Sequence, residues 1–109
     1  MNYDTNKLWI RQGDVLLRPL AARPVTTGSR ITDGILARGE MTGHAHRLSV
    51  LTPELYDLDD GKMLLCVTEE GVSIQHEEHK PVEVPVGDYE VVIDREYDYI
   101  EDMARRVED

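Results

Sequence analysis

Gly43-His44-Ala45-His46-Arg47-Leu48-Ser49-Val50 is the stretch that decides the fold, because its side chains alternate in character. His46, Leu48 and Val50 fall on one face of an extended chain, and the polar residues between them fall on the other. A period of two is typical of a half-buried β-strand. We therefore predict a strand over residues 46–51 whose apolar face lies against a core.

The same period of two recurs along most of the chain. Turns that contain Gly or Pro separate the alternating segments, and in Asp59-Asp60-Gly61-Lys62 the Asp-Gly pair tolerates the positive φ of a tight hairpin. This organisation predicts an all-β protein, a small single-domain barrel or jelly roll. Further strands are predicted over residues 14–20, 34–39, 55–58, 63–68, 72–76, 82–86 and 89–94.

A chain of 109 residues is expected to form one domain, residues 1–109. Apolar side chains at positions 100, 103, 104 and 107 have helical spacing, so a short C-terminal helix is expected to pack on the barrel or on a neighbouring subunit. Three segments lack the strand pattern: residues 1–7, an N-terminal tail; residues 20–33, a long loop; and residues 96–109, the C-terminal segment.

The charge and the cysteine content exclude several classes of function. Twelve basic residues against 22 acidic residues give a formal net charge of −10, which disfavours binding to nucleic acid or to an anionic membrane. The single cysteine, Cys66, cannot form an internal disulfide, so a reducing compartment fits. No window holds the roughly 18 apolar residues of a spanning helix. A soluble cytoplasmic protein is expected, and an edge strand with the C-terminal segment favours a homo-oligomer.

All four histidines of the chain lie in two short clusters, His44-Ala45-His46 and His76-Glu77-Glu78-His79. In a strand, His44 and His46 point to one face, and His76 continues the apolar face of residues 72–76. His79 can fold back from a turn at Glu77-Glu78. Neutral imidazoles held together at these spacings favour a divalent transition metal, with Zn expected first and Ni, Fe or Mn as alternatives. The predicted ligands are His44, His46, His76 and His79.

Two short motifs resemble those of cupins. Gly39-Glu40-Met41-Thr42-Gly43-His44-Ala45-His46 is similar to the first cupin metal motif, and Pro85-Val86-Gly87 resembles the P-x-G turn of the second. The resemblance implies a double-stranded β-helix with a metal among its strands, in a family that includes dioxygenases, isomerases, epimerases, storage proteins and sensors. The pattern departs from the family where a glutamate ligand should closely follow H-x-H, and where Glu90 replaces a later histidine ligand.

The spacing leaves the function open between an enzyme and a binding module. Three imidazoles would leave an open metal position for water or a small-molecule ligand, and Glu77 or Glu78 could then serve as general base. Four imidazoles would close the site and make it structural. The alternatives are a non-enzymatic phage or bacterial accessory module, whose histidines staple the fold or an oligomer interface, and a module that responds to pH near the histidine pKa.

Overall fold

The computed structural model describes residues 2–25, 28–38, 43–50, 52–58, 61–68 and 70–94. Within these ranges the chain forms two antiparallel β-sheets and no helix, which confirms the all-β prediction. No helix in the described part of the chain has the length and apolar character needed to cross a membrane.

The described residues form ten strands. They are, in chain order, β1 (Ile10–Gln12), β2 (Val15–Pro19), β3 (Arg30–Ile31), β4 (Ile35–Arg38), β5 (Ala45–Leu48), β6 (Glu54–Asp57), β7 (Met63–Val67), β8 (Val72–Gln75), β9 (Val82–Val84) and β10 (Gly87–Ile93). The large sheet has the order β1-β2-β10-β7-β6-β3, and the small sheet has the order β4-β5-β8-β9. Hydrogen bonding thus joins the described strands into two sheets and not into one closed barrel.

Apolar side chains from both sheets form the core. Leu17, Leu55, Leu65 and Val91 of the large sheet and Ile74 of the small sheet are at most 1% exposed. Each of them removes enough apolar surface from water to contribute about 1.5–3 kcal/mol. The alternation of the sequence therefore reflects one buried face on each sheet.

Two strands and two contacts of Tyr3 were not predicted from the sequence. β1 precedes the predicted strand 14–20, and β3 lies inside the segment predicted as a loop over residues 20–33. Tyr3, in the predicted tail, pairs with Leu20 and donates a hydrogen bond to Glu90 (Oη–Oε1 2.9 Å). The predicted C-terminal helix lies outside the described residues, as do Asp59 and Asp60 of the predicted hairpin turn, but β6 and β7 are antiparallel neighbours as that turn requires.

Candidate metal centre

Strand register brings the two histidine clusters together. β5 and β8 are antiparallel neighbours in which Arg47 lies opposite Gln75 and Leu48 lies opposite Ile74. Continuing this register by one pair places His46 opposite His76, and their ring centroids are 4.4 Å apart. The convergence predicted from the H-x-H and H-x-x-H motifs thus follows from the pairing of two strands of the small sheet.

The other two predicted histidines join the same cluster. The chain turns after His76, where the backbone N–H groups of Glu78 and His79 donate to His76 Nδ1 at 3.0 and 3.4 Å. This turn places the His79 ring 4.6 Å from the His76 ring and 5.7 Å from the His46 ring. The His44 ring lies 5.7 Å from that of His76. All four histidine side chains therefore meet at one end of the small sheet.

Three of the imidazoles are close enough to share an ion. One nitrogen from each of His46, His76 and His79 lies within 4.8 Å of the other two. Donor atoms around a tetrahedral zinc ion with bonds of about 2.05 Å are about 3.4 Å apart. Each pair of imidazole nitrogens would therefore have to approach by at most about 1.4 Å to bind the same ion. His46 is buried, and His76, His79 and His44 are partly exposed, so the cluster is open to solvent on one side.

A second group of metal-binding side chains shares one histidine with the first. His44, His76 and Glu77 also place one ligand atom each within 4.8 Å of one another. The Glu77 carboxylate, however, already binds Arg47 Nη1 (2.6 Å) and the backbone N–H of Ala45 (3.0 Å). These contacts favour the trio of His46, His76 and His79 as the metal centre.

Gln12 fixes the orientation of the most buried histidine. Its amide Nε2 donates to the carbonyl oxygens of Ile74 and Lys80, both at 2.9 Å. The amide oxygen therefore points the other way, toward His46 Nδ1 at 2.8 Å. Because that oxygen can only accept, the proton of the neutral His46 ring lies on Nδ1, and the lone pair is on Nε2. An imidazole that binds a metal usually donates the N–H of its other ring nitrogen to a fixed acceptor, and His46 has this arrangement.

Asp14 faces the other nitrogen of His46. Its Oδ1 lies 3.2 Å from His46 Nε2, and the two side chains are 9% and 4% exposed. The β1–β2 hairpin holds this carboxylate beside the histidines, and Gly13 supplies the positive φ of 58° that the two-residue loop requires. Asp14 thus reaches the cluster from the large sheet, whereas the histidines belong to the small sheet.

Sequence reasoning did not identify Gln12 or Asp14 as functional residues. They precede His46 by more than 30 positions and resemble ordinary residues of a hairpin loop. A weak signal was present, because Gln12-Gly13-Asp14 places two polar side chains directly before the apolar run of β2. Only the packing of the two sheets reveals that both side chains are buried.

Glu77, one of the two predicted general bases, connects the two histidine clusters through hydrogen bonds. Its contacts with Arg47 and with the Ala45 N–H join the H-x-x-H turn to the start of β5. The hydrogen bond from Arg47 is the main cause that lowers the pKa of Glu77 to about 2. A carboxylate with so low a pKa is a poor proton acceptor near neutral pH.

Glu78, the other predicted base, lies at the exposed side of the cluster. Its Oε1 is 3.4 Å from His44 Nδ1, and its side chain is 60% exposed. A catalytic role for either glutamate stays a prediction, as does the oligomeric state.

The surroundings of His76 keep its ring neutral. Burial, followed by the neighbouring rings of His46 and His79, lowers the pKa of His76 below its ordinary value. Neutral imidazole is the form that binds metals. Because His76 Nδ1 accepts backbone N–H groups, the ring proton lies on Nε2. His76 must therefore turn its ring or release these backbone contacts to offer a lone pair to an ion.

The fold and the site together define a class: small all-β domains with a histidine cluster, partly buried between two sheets, that could hold a metal ion. The chain belongs to the family described as Domain of unknown function (DUF8820), whose model matches residues 11–94. The matched range includes Gln12, Asp14 and all four histidines. No curated protein and no solved structure matches the chain. The resemblance to cupins stays a prediction.

Proposed function

We propose that this domain binds one divalent transition metal ion through His46, His76 and His79. The observation that carries the proposal is the approach of three imidazole nitrogens to within 4.8 Å of one another. Imidazole suits Zn, Cu, Fe and Ni, and zinc is the first expectation because a small tetrahedral site of nitrogen donors matches its preferences.

The low pKa of His76 supports metal binding over a cluster of charged rings. Protonated imidazoles at centroid distances of 4.4–5.7 Å would repel one another, and burial adds to the cost of each charge. An ion shared by the neutral rings would bind the lone pairs and hold the rings together. Burial and the neighbouring rings favour the neutral form of His76, which is the form that binds a metal.

The site is open or closed according to whether a fourth side chain binds the ion, and His44 is one candidate. Its side chain is 29% exposed and lies beside Glu78, so it belongs to the solvent side of the cluster. If no fourth side chain binds the ion, one position remains for water or a small-molecule ligand, and metal-bound water would become acidic enough for hydrolytic chemistry. If His44 binds, the site is closed and its role is to stabilise the fold.

A second candidate function needs no metal. His46 lies between Gln12 Oε1 and Asp14 Oδ1, and a doubly protonated ring could donate to both of these acceptors. In that case the histidine would staple the two sheets as a buried ion pair. This reading corresponds to a structural or interaction module and is the main competitor of the metal site.

Metal titration separates the two functions. We expect protein purified without added metal, then stripped with chelator, to bind one zinc ion per chain in calorimetry. Free zinc at about 100 times Kd should add about 2.7 kcal/mol to the free energy of unfolding. For a domain of this size, such a gain raises Tm by roughly 10–20 °C.

The variants for this test are His76→Asn and His79→Asn, and the control is Gln75→Asn, which changes an exposed residue next to the cluster. Both histidine variants should lose most of the zinc-dependent shift in Tm, and the control should keep it. If the wild-type protein binds no zinc, iron, nickel or manganese, and its melting curve is the same with and without each of them, the metal proposal fails and the staple remains.

A further inference from the structure

We infer that Asp14 is a fourth ligand of the proposed metal, so that the complete site has three imidazole nitrogens and one carboxylate oxygen. The inference rests on the proposed function, because it assigns a further residue to the same ion. It also predicts which metals the site takes, and it links the large sheet to the ion through the β1–β2 hairpin.

The first step is the direction of the His46 lone pair. The Gln12 amide is fixed by two carbonyl acceptors, Ile74 O and Lys80 O, so its oxygen must face His46 Nδ1. The neutral His46 ring then carries its proton on Nδ1 and its lone pair on Nε2, the nitrogen that lies 3.2 Å from Asp14 Oδ1. No other arrangement of the neutral ring satisfies the Gln12 oxygen.

The second step is the contact that results. His46 Nε2 and Asp14 Oδ1 lie 3.2 Å apart, and the two side chains are 4% and 9% exposed. Two acceptors at this distance repel each other in a poorly solvated environment unless a proton or a cation lies between them. The separation of this one pair is close to the distance of about 3.4 Å between two donor atoms of one tetrahedral zinc ion. Asp14 does not belong to the group of ligand atoms that lie within 4.8 Å of one another, so its carboxylate would have to move toward His76 and His79 when the ion binds.

Three imidazole nitrogens and one carboxylate oxygen favour some metal ions over others. A carboxylate is a hard, anionic donor that suits Zn(II), Fe(II) and Mn(II), whereas Cu(I) prefers thiolate and thioether sulfur. The single cysteine of the chain, Cys66, packs with Leu20 and Leu64 in a separate cluster from the main core. The inferred site is therefore selective for divalent ions over Cu(I).

Asp14→Asn tests the inference, because it keeps the shape of the side chain and removes its charge. We expect the zinc Kd of the variant to rise at least about 10-fold, the lower end of the loss seen when a partner of a metal ligand is removed. With Co(II) as a spectroscopic substitute, the intensity and position of the visible bands should change. The control is Asp33→Asn, at an exposed aspartate that pairs with Arg38, and it should match the wild type.

Two outcomes overturn the inference. One is an Asp14→Asn variant whose zinc Kd and Co(II) spectrum equal those of the wild type. The other is a zinc-loaded crystal structure of the wild type in which no Asp14 oxygen approaches the ion; an oxygen at about 2.0–2.2 Å supports the inference. The crystal structure decides the question even if the variant does not fold. A wild-type protein that binds none of zinc, iron, nickel and manganese would refute the proposed function itself, so the two failures can be distinguished.

Discussion

Gln12→Ala removes the side chain that connects the two sheets next to the histidine cluster. Gln12 is 2% exposed and belongs to β1 of the large sheet. Its amide donates to Ile74 O in β8 of the small sheet and to Lys80 O, and its oxygen faces His46 Nδ1. The substitution breaks all three contacts and leaves the Ile74 carbonyl and the His46 ring without them.

The expected loss of stability can be worked out from these contacts. Each hydrogen bond contributes about 1 kcal/mol net, and a buried group left unsatisfied costs about 1–3 kcal/mol. Water can reach Lys80, which is exposed, so its carbonyl adds little. The lost contacts to Ile74 and His46 and the buried groups left unsatisfied there together lower the free energy of unfolding by about 3 kcal/mol. This is a large part of the roughly 5–15 kcal/mol that stabilises a typical domain. The corresponding fall in Tm is at least roughly 12 °C.

Urea unfolding of metal-free protein, followed by circular dichroism, measures this difference. The matched control is Gln75→Ala, which removes an exposed glutamine of β8 and should change stability by less than about 0.5 kcal/mol. If the two variants lose the same amount within about 0.5 kcal/mol, Gln12 does not act as the buried connection between the sheets, and the argument for the orientation of His46 fails with it.

Three further predictions concern two glycines, Tyr3 and the titration of His76. Gly71→Ala should lower the free energy of unfolding clearly more than Gly61→Ala, for which we expect a loss of about 1 kcal/mol. Both glycines have a positive φ, 85° and 74°, but of the two only Gly71 would bring its new Cβ to 2.9 Å from a backbone oxygen. Equal midpoints of urea unfolding for the two variants would contradict this. Tyr3→Phe should cost about 1.5 kcal/mol, because it removes a hydrogen bond to the buried Glu90 carboxylate, and a change below about 0.5 kcal/mol would contradict it. Without metal, the free energy of unfolding should fall as pH drops below 6.5, the ordinary pKa of His76. Folding lowers the pKa of His76, so the unfolded chain binds the proton first as the pH falls. The contribution of His76 to stability is therefore complete above pH 6.5 and is lost as the pH falls toward the pKa of the folded state. Urea unfolding in chelator across this range measures it, and His76→Asn should flatten the curve.

Much of the fold was predictable because each sheet has one buried face. Alternation identified the strands that line the core, and Gly71 marks a turn that needs a positive φ. β1 and β3 were not predictable in the same way. The apolar residues that precede β1, Leu8 and Trp9, are exposed to solvent and do not continue a buried face. Strand β3 has only two residues, too few to show a period of two.

The candidate site was predictable only in part. The spacing of the histidines predicted their convergence, but the pairing of β5 with β8 that brings them together was not predicted. Gln12 and Asp14 come from another sheet, and their burial depends on how the two sheets pack. The role of a polar residue in or beside a hairpin loop depends on which side chains the opposite sheet brings to it, and the spacing of residues in the sequence does not reveal this.

The link from Gln12 to Lys80 spans 68 positions and has a consequence for synthesis of the chain on the ribosome. Gln12 emerges early, yet its acceptors on Ile74 and Lys80 are translated much later. Hairpins such as β6–β7 can form from neighbouring residues while translation continues. The histidine cluster cannot assemble until residue 80 has left the exit tunnel, and the large sheet must wait longer still, because β10 lies between β2 and β7.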